Sequence, residues 1–96
     1  MSLDAVFARV EGKRDELIEL TQDLVRIPTL NPPGEFYEDC ARYLGDRLAG
    51  RGFEVSYYRA EGTPGDSDRY PRWNVVARRQ SGGAHPCVHF NSHIVV

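Results

Sequence analysis

The sequence predicts an α/β fold in which two N-terminal helices are followed by three strands. Apolar residues recur every three or four positions in the first half of the chain, which is typical of amphipathic helices. In the second half, short runs alternate apolar and polar residues between glycine-rich and proline-rich turns, which is typical of strands. A three-stranded sheet would leave its edges unpaired, so the predicted sheet is incomplete.

The first predicted helix runs from Leu3 to about Arg26. Its apolar residues fall on one helical face; they are Leu3, Val6, Phe7, Val10, Leu17, Leu20 and Leu24. Gly12 costs about 1 kcal/mol relative to alanine inside a helix, which leaves either one kinked helix or two shorter ones. Pro28 ends the helix because the residue before a proline avoids helical backbone angles. The prolines between Ile27 and Gly34 stiffen the loop that follows.

The second predicted helix spans about Glu35 to Ala49 and carries an apolar stripe; the stripe consists of Cys40, Leu44 and Leu48. We expect Asn31 or the adjacent prolines to start it, and left-handed glycines at Gly50 and Gly52 to stop it. Three acidic residues near its start are expected to complement the helix dipole rather than to form a binding site; they are Glu35, Glu38 and Asp39.

Three segments read as strands, namely Phe53–Tyr57, Trp73–Arg79 and Pro86–His93. Between the first two, residues 60–72 form a predicted surface loop, long enough to be functional or disordered. Its Asp66-Ser67-Asp68 run lacks the remaining ligand spacing of a calcium loop. A turn at residues 80–85 precedes the third strand.

Composition narrows the class of protein. Of the 96 residues, 41% are apolar and 27% are charged, with a formal net charge of −2, and this balance argues against nucleic-acid binding. No apolar run is long enough to span a membrane, and the N-terminus lacks a signal-peptide pattern. Cys40 and Cys87 lie far apart and are expected to be two small buried thiols of a cytosolic protein.

His93 is the candidate metal ligand. It ends the third predicted strand, and open α/β sheets bind ligands in the crevice beyond the carboxyl ends of their strands. A neutral imidazole suits zinc and similar divalent ions. The alternative is a strand-end histidine that hydrogen-bonds to a carbonyl. His89 lies on the same face but about 13 Å away along a strand, so the two cannot share a metal; His85 and His89 read as structural or solvated.

Three segments, taken together, resemble the N-terminus of the co-catalytic metallopeptidase and deacylase family, which includes acetylornithine deacetylase, succinyl-diaminopimelate desuccinylase and aminoacylase. The first segment is Leu24–Thr29 followed by Asn31–Gly34, which is similar to the end of the family's first helix and the loop after it. The second comprises Gly52–Val55 and Trp73–Ala77, and the third is Val88–Ile94, similar to the strand that carries the family's first metal histidine. The match spans essentially the whole chain but only about the first quarter of a family member.

The resemblance implies that residues 1–96 are the N-terminal part of a three-layer, zinc-peptidase-like catalytic domain. It implies a hydrolase of N-acyl amino acids or small peptides that uses two divalent metals, zinc or alternatively cobalt or manganese. His93 would be the one metal ligand present, with no catalytic residue in this chain and the substrate-binding residues unknown. The rest of that domain and an inserted dimerisation domain, which implies a homodimer of the full-length form, would be absent. This chain alone would be inactive.

One residue departs from the family pattern. Family members carry a His-x-Asp-Val-Val run in which the aspartate orients the site, whereas Val95 stands at that position here. The sequence reads as though one acid were missing between Ile94 and Val95. A metal-bound histidine generally needs such a partner to fix its tautomer. The alternative function is therefore a degenerate, non-catalytic homologue that acts only in binding or as a structural fragment.

Overall fold

The computed structural model describes residues 2–80, 82–83 and 86–93, and within them the fold is mixed α/β with three helices and a two-stranded antiparallel sheet. The helices are α1 (Leu3–Glu11), α2 (Arg14–Arg26) and α3 (Tyr37–Ala49). The strands are β1 (Glu54–Arg59) and β2 (Trp73–Arg78). The two-helix prediction is corrected to three, because the first predicted helix is divided.

The first predicted helix is divided at Gly12, which confirms the alternative of two shorter helices. Ser2 caps α1 by accepting a hydrogen bond at 3.2 Å from the amide of Ala5 through its hydroxyl. The Gly12 amide donates to Ala8 and the Lys13 amide to Val10, and both bonds close the last turn of α1. Neither α1 nor α2 contains a buried residue. The predicted apolar stripe therefore exists but is largely exposed.

The loop between α2 and α3 is compact. Ile27 leaves the helical region, as expected before Pro28, and Thr29 is almost completely buried. The carbonyl of Leu30 accepts hydrogen bonds from the amides of Gly34 and Glu35, at 2.7 and 2.9 Å. These bonds fold the chain back so that α3 begins two residues later than predicted.

Helix α3 ends at the predicted residue, although only one of the two glycines has the predicted conformation. Gly52 is left-handed, with a φ of 86°. Gly50, however, keeps helical angles, because its amide still bonds the carbonyl of Asp46 in the final turn. The prediction of a left-handed Gly50 was wrong.

The sheet is a hairpin that packs on α3. Strand register pairs Val55 with Ala77 and Tyr57 with Val75, and these side chains share the face turned toward the helix. Gly45 makes this approach possible, since a Cβ there would collide with the Tyr57 ring. The guanidinium of Arg42 lies 4.2 Å from the centre of the same ring. The core therefore sits between α3 and one face of the hairpin.

The third strand predicted at Pro86–His93 is not found. Residues 86–93 form neither helix nor strand and every one of them is exposed, including Val88 at 74% and Phe90 at 88%. The prediction of a buried thiol was therefore wrong for Cys87. Alternation of side chains predicts a strand only where a second strand supplies hydrogen-bond partners for the backbone. Residues 81, 84 and 85 of the predicted turn lie outside the described residues, as do residues 94–96 beyond the predicted strand.

No helix in the described part of the chain is long and apolar enough to cross a membrane.

Candidate functional site

His93 lies in the exposed segment 86–93, outside any helix or strand. Its ring makes no hydrogen bond to another described residue. The alternative interpretation, a histidine hydrogen-bonded to a backbone carbonyl, therefore has no such carbonyl among the described residues. His89 is also exposed, which fits the solvated alternative. His85 lies outside the described residues. Burial therefore does not distinguish His93 from His89.

The fit of a metal to the residues present can be tested by counting ligands. A catalytic zinc takes at least three protein ligands, with water in an open position. Among residues 2–80, 82–83 and 86–93, no group of three or more histidine, cysteine or acidic side chains is close enough to hold an ion. The described residues do not by themselves fit the implied two-metal site. His93 is at most one ligand of it.

The acidic loop is organised by arginines. Arg59 donates two hydrogen bonds of 3.1 Å to the two carboxylate oxygens of Asp66, whose side chain is only 4% exposed. A third bond of 3.1 Å reaches the exposed Asp68. The amide of Arg72 donates to Asp66 at 2.9 Å. The Asp66 side chain, largely shielded from solvent, thus anchors residues 60–72.

These contacts shift the titration of both partners. The Arg59 guanidinium, and secondly the Arg72 amide, hold the pKa of Asp66 below its usual range. The same hydrogen bonds from Arg59 to Asp66 and Asp68 raise the pKa of the guanidinium. Each charged form therefore stabilises the other, and the pair ties β1 to the loop.

Arg72 connects this loop to the proline-rich loop that follows α2. Its guanidinium donates to the side-chain oxygen of Asn31 at 3.0 Å and lies 5.5 Å from the centre of the Tyr37 ring. Gly34 and Gly65 border it, and a Cβ on Gly65 would collide with the guanidinium. Two segments named in the family resemblance, 31–34 and 73–77, are therefore held close together by a residue that the sequence argument did not single out.

A groove between α2 and α3 was also not foreseen. It encloses about 300 Å³, and eight residues line it; they are Lys13, Glu16, Leu17, Leu20, Leu44, Arg47, Leu48 and Arg51. The stripes of both helices were visible in the sequence. What the sequence did not show is that the two stripes face each other without closing completely.

Polar contacts bridge the two helices beside the groove. Glu16 contacts Arg51 and lies 3.9 Å from Arg47 and 3.3 Å from Lys13. Further along the helices the Tyr43 hydroxyl donates to Asp23 at 2.8 Å and accepts from Arg47 at 3.3 Å. Burial and this bond to a carboxylate raise the pKa of Tyr43.

Comparison of the chain with protein-family models, with curated proteins and with solved structures found no match. The resemblance described from the sequence stays a prediction, carried by the residues quoted for it.

Proposed function

We propose that this chain supplies part of the scaffold and one metal ligand, His93, to a zinc-dependent hydrolase that cleaves amide bonds of N-acyl amino acids or small peptides. Its other metal ligands are not among the described residues. In this proposal, residues 86–93 pair with further strands of a three-layer, zinc-peptidase-like sheet. The full-length form would be a cytoplasmic homodimer that accepts zinc, cobalt or manganese.

The observation that carries the proposal is the segment that ends at His93. Val88 and Phe90 alternate with polar residues, yet both are strongly exposed. On a strand, Val88 and Phe90 would lie on the same face, and an apolar face is the one that a sheet packs against its core. When that segment pairs in a sheet, His93 comes to the end of a strand, where open sheets bind ligands.

The order of elements supports the same proposal. Residues 24–34 form a helix end and a compact loop, and residues 52–55 and 73–77 enter the hairpin that packs on α3. These are the first two of the three segments that resemble the family. They are joined through the bond from Arg72 to Asn31.

A zinc titration followed through the histidine ring resonances tests the proposal. We expect zinc to shift the His93 ring first and His93→Ala to remove the tightest site. His89→Ala is the matched control, because it removes the same side chain from the same exposed segment. Equal losses from the two substitutions would contradict a specific role for His93.

Restoring the missing acid makes the test sharper. An aspartate inserted between Ile94 and Val95 should raise zinc affinity roughly 10–100-fold, the typical effect of a carboxylate partner for a metal-bound histidine. An asparagine inserted at the same point controls for chain length, and His93→Ala in the aspartate variant should abolish the gain. If both insertions act alike, the carboxylate has no such role.

The second candidate is a non-catalytic homologue that acts only in binding. The valine at position 95, where the family pattern has an aspartate, favours it. This candidate predicts no His93-dependent zinc affinity with or without the inserted acid. Sequencing of the coding DNA around codons 94–96 and beyond is a second check, since a continuing frame with an aspartate, a Glu-Glu pair and a late histidine would favour the hydrolase.

A further inference from the structure

The groove between α2 and α3 has the shape and lining of a small ligand site. The two helices run antiparallel, because Asp23 meets Tyr43 while Glu16 meets Arg47 and Arg51. Leucines supply the apolar lining; they are Leu17, Leu20, Leu44 and Leu48. Its volume of about 300 Å³ is at the lower end of the range of roughly 300–1,000 Å³ for small-molecule pockets.

Charge is concentrated at one end of the groove. Lys13, Arg47 and Arg51 surround a single carboxylate, that of Glu16, so two positive charges are in excess. The side chains of Lys13 and Arg51 are 57% and 55% exposed, which leaves them room to turn toward a second anion. Like charges held this close repel one another, and a second carboxylate would reduce that repulsion.

The polar contact beyond Leu20 and Leu44 is already satisfied. There the Asp23 carboxylate accepts the Tyr43 hydroxyl and is paired with Arg26 at 3.0 Å, so the groove offers a ligand its cations beside Glu16 and its leucines next to them. A ligand with one charged end and one apolar body is therefore oriented by the groove. Its anionic end would meet the three cations, and its body would lie along the leucines.

We propose that this groove binds a single-chain anionic amphiphile, a carboxylate with an alkyl tail. Two features of the groove argue against a peptide as its occupant. A helix is about 10–12 Å wide with its side chains, too wide to enter a groove of this volume. An extended peptide would bring backbone N–H and C=O groups against leucines that cannot bond them. The proposal is independent of the metal site proposed at His93.

Octanoate is the probe, because the groove extends about 10 Å along α3 from Leu44 to Arg51. We expect calorimetric titration of the 96-residue chain to show one saturable octanoate site. Octanol, which lacks the charge, and acetate, which lacks the tail, should each bind at least about tenfold more weakly. Octanol binding as tightly as octanoate, or no saturable binding of octanoate, would overturn the proposal.

Matched variants locate the site. Arg51→Ala should weaken octanoate binding about tenfold, the usual effect of losing one hydrogen bond to a charged group. Arg79→Ala removes the same charge from an exposed position beyond β2 and should leave binding unchanged. Lys13→Ala repeats the test at a second cation if circular dichroism shows that Arg51→Ala does not fold. Equal effects of the groove and control variants would refute the site.

A second copy of the chain is the competing occupant. Sedimentation equilibrium with and without octanoate distinguishes octanoate binding from association of two chains. A monomer that binds octanoate supports the proposal. A dimer that octanoate neither dissociates nor binds would assign the groove to chain association instead.

Discussion

Two regions of this molecule have similar sequence patterns but different packing. The body, residues 28–78, contains all of the described residues that are buried, and these lie between Thr29 and Gly45. The arm, formed by α1 and α2, and the tail, residues 86–93, contain none. All three regions carry apolar side chains in regular spacing. The difference shows that periodicity predicts which side chains are able to pack together, whereas burial depends on whether a second surface meets them.

The largest contrast between body and tail should come from removing one aromatic ring in each. Tyr37→Ala should lower the free energy of unfolding by about 3 kcal/mol, because Tyr37 is 8% exposed and its loss leaves a cavity. Phe90→Ala should change it by less than about 0.5 kcal/mol, because that ring is exposed. Urea denaturation measures both.

Tyr37→Phe is the control for the hydroxyl. That oxygen is buried and has no hydrogen-bond partner among the described residues, so its removal should be nearly neutral. A Phe90 variant as destabilised as Tyr37→Ala would show that the tail packs in solution.

The two cysteines give a chemical comparison of the same regions. Cys40 is 3% exposed, and burial raises the pKa of its thiol, whereas Cys87 is exposed in the tail. Iodoacetamide at pH 8 should therefore modify Cys87 at least about tenfold faster than Cys40. Cys87→Ser should remove the fast phase and Cys40→Ser the slow one. A single fast phase for both thiols would mean that the body opens readily.

Glycine substitutions compare the body with the arm. Gly45→Ala should destabilise the chain by about 1 kcal/mol, because the collision with Tyr57 outweighs the better helix propensity of alanine. Gly12→Ala should instead stabilise it by about 0.4–1 kcal/mol, since Gly12 has helical angles and a Cβ there meets only ordinary contacts. Thermal unfolding distinguishes the two signs. The same sign for both would contradict the close packing at Gly45.

The smallest expected effect is the loss of stability at low pH. The folded-state pKa of Asp66 is lowered, so its contribution to stability is complete above the unfolded value near 4 and is lost as the pH falls through the folded value. Asp66→Asn should therefore lower the urea midpoint at pH 7, and the difference from the unmodified chain should shrink below about pH 4. Asp68→Asn should cost less, because that carboxylate is fully exposed. A pH-independent difference for Asp66→Asn would exclude an ionic role.

Much of the body was predictable from the sequence. Pro28 placed the end of α2, the Gly50–Gly52 region placed the end of α3, and alternation placed both strands within two residues of their observed ends. These signals are local, since each depends on the backbone preferences of a few neighbouring residues. The position of the break at Gly12 was also visible, although propensity alone left one kinked helix as an alternative.

The candidate sites were less predictable. The bond from Arg72 to Asn31 joins residues 41 positions apart, and the cations around Glu16 come from two helices. No local pattern encodes such pairs. The tail shows the converse, because its alternating pattern predicts a strand for which the described residues offer no partner.

The sequence by itself determined most helix and strand ends of the body, the apolar stripes of its helices, and the presence of an imidazole at position 93. Tertiary structure decided which stripe is buried, that Asp66 anchors a loop, and that α2 and α3 leave an apolar groove with cations at one end. The physical reason is that secondary structure follows from short-range backbone preferences. Burial and ion pairing instead require distant segments to meet, and their free energy depends on that meeting.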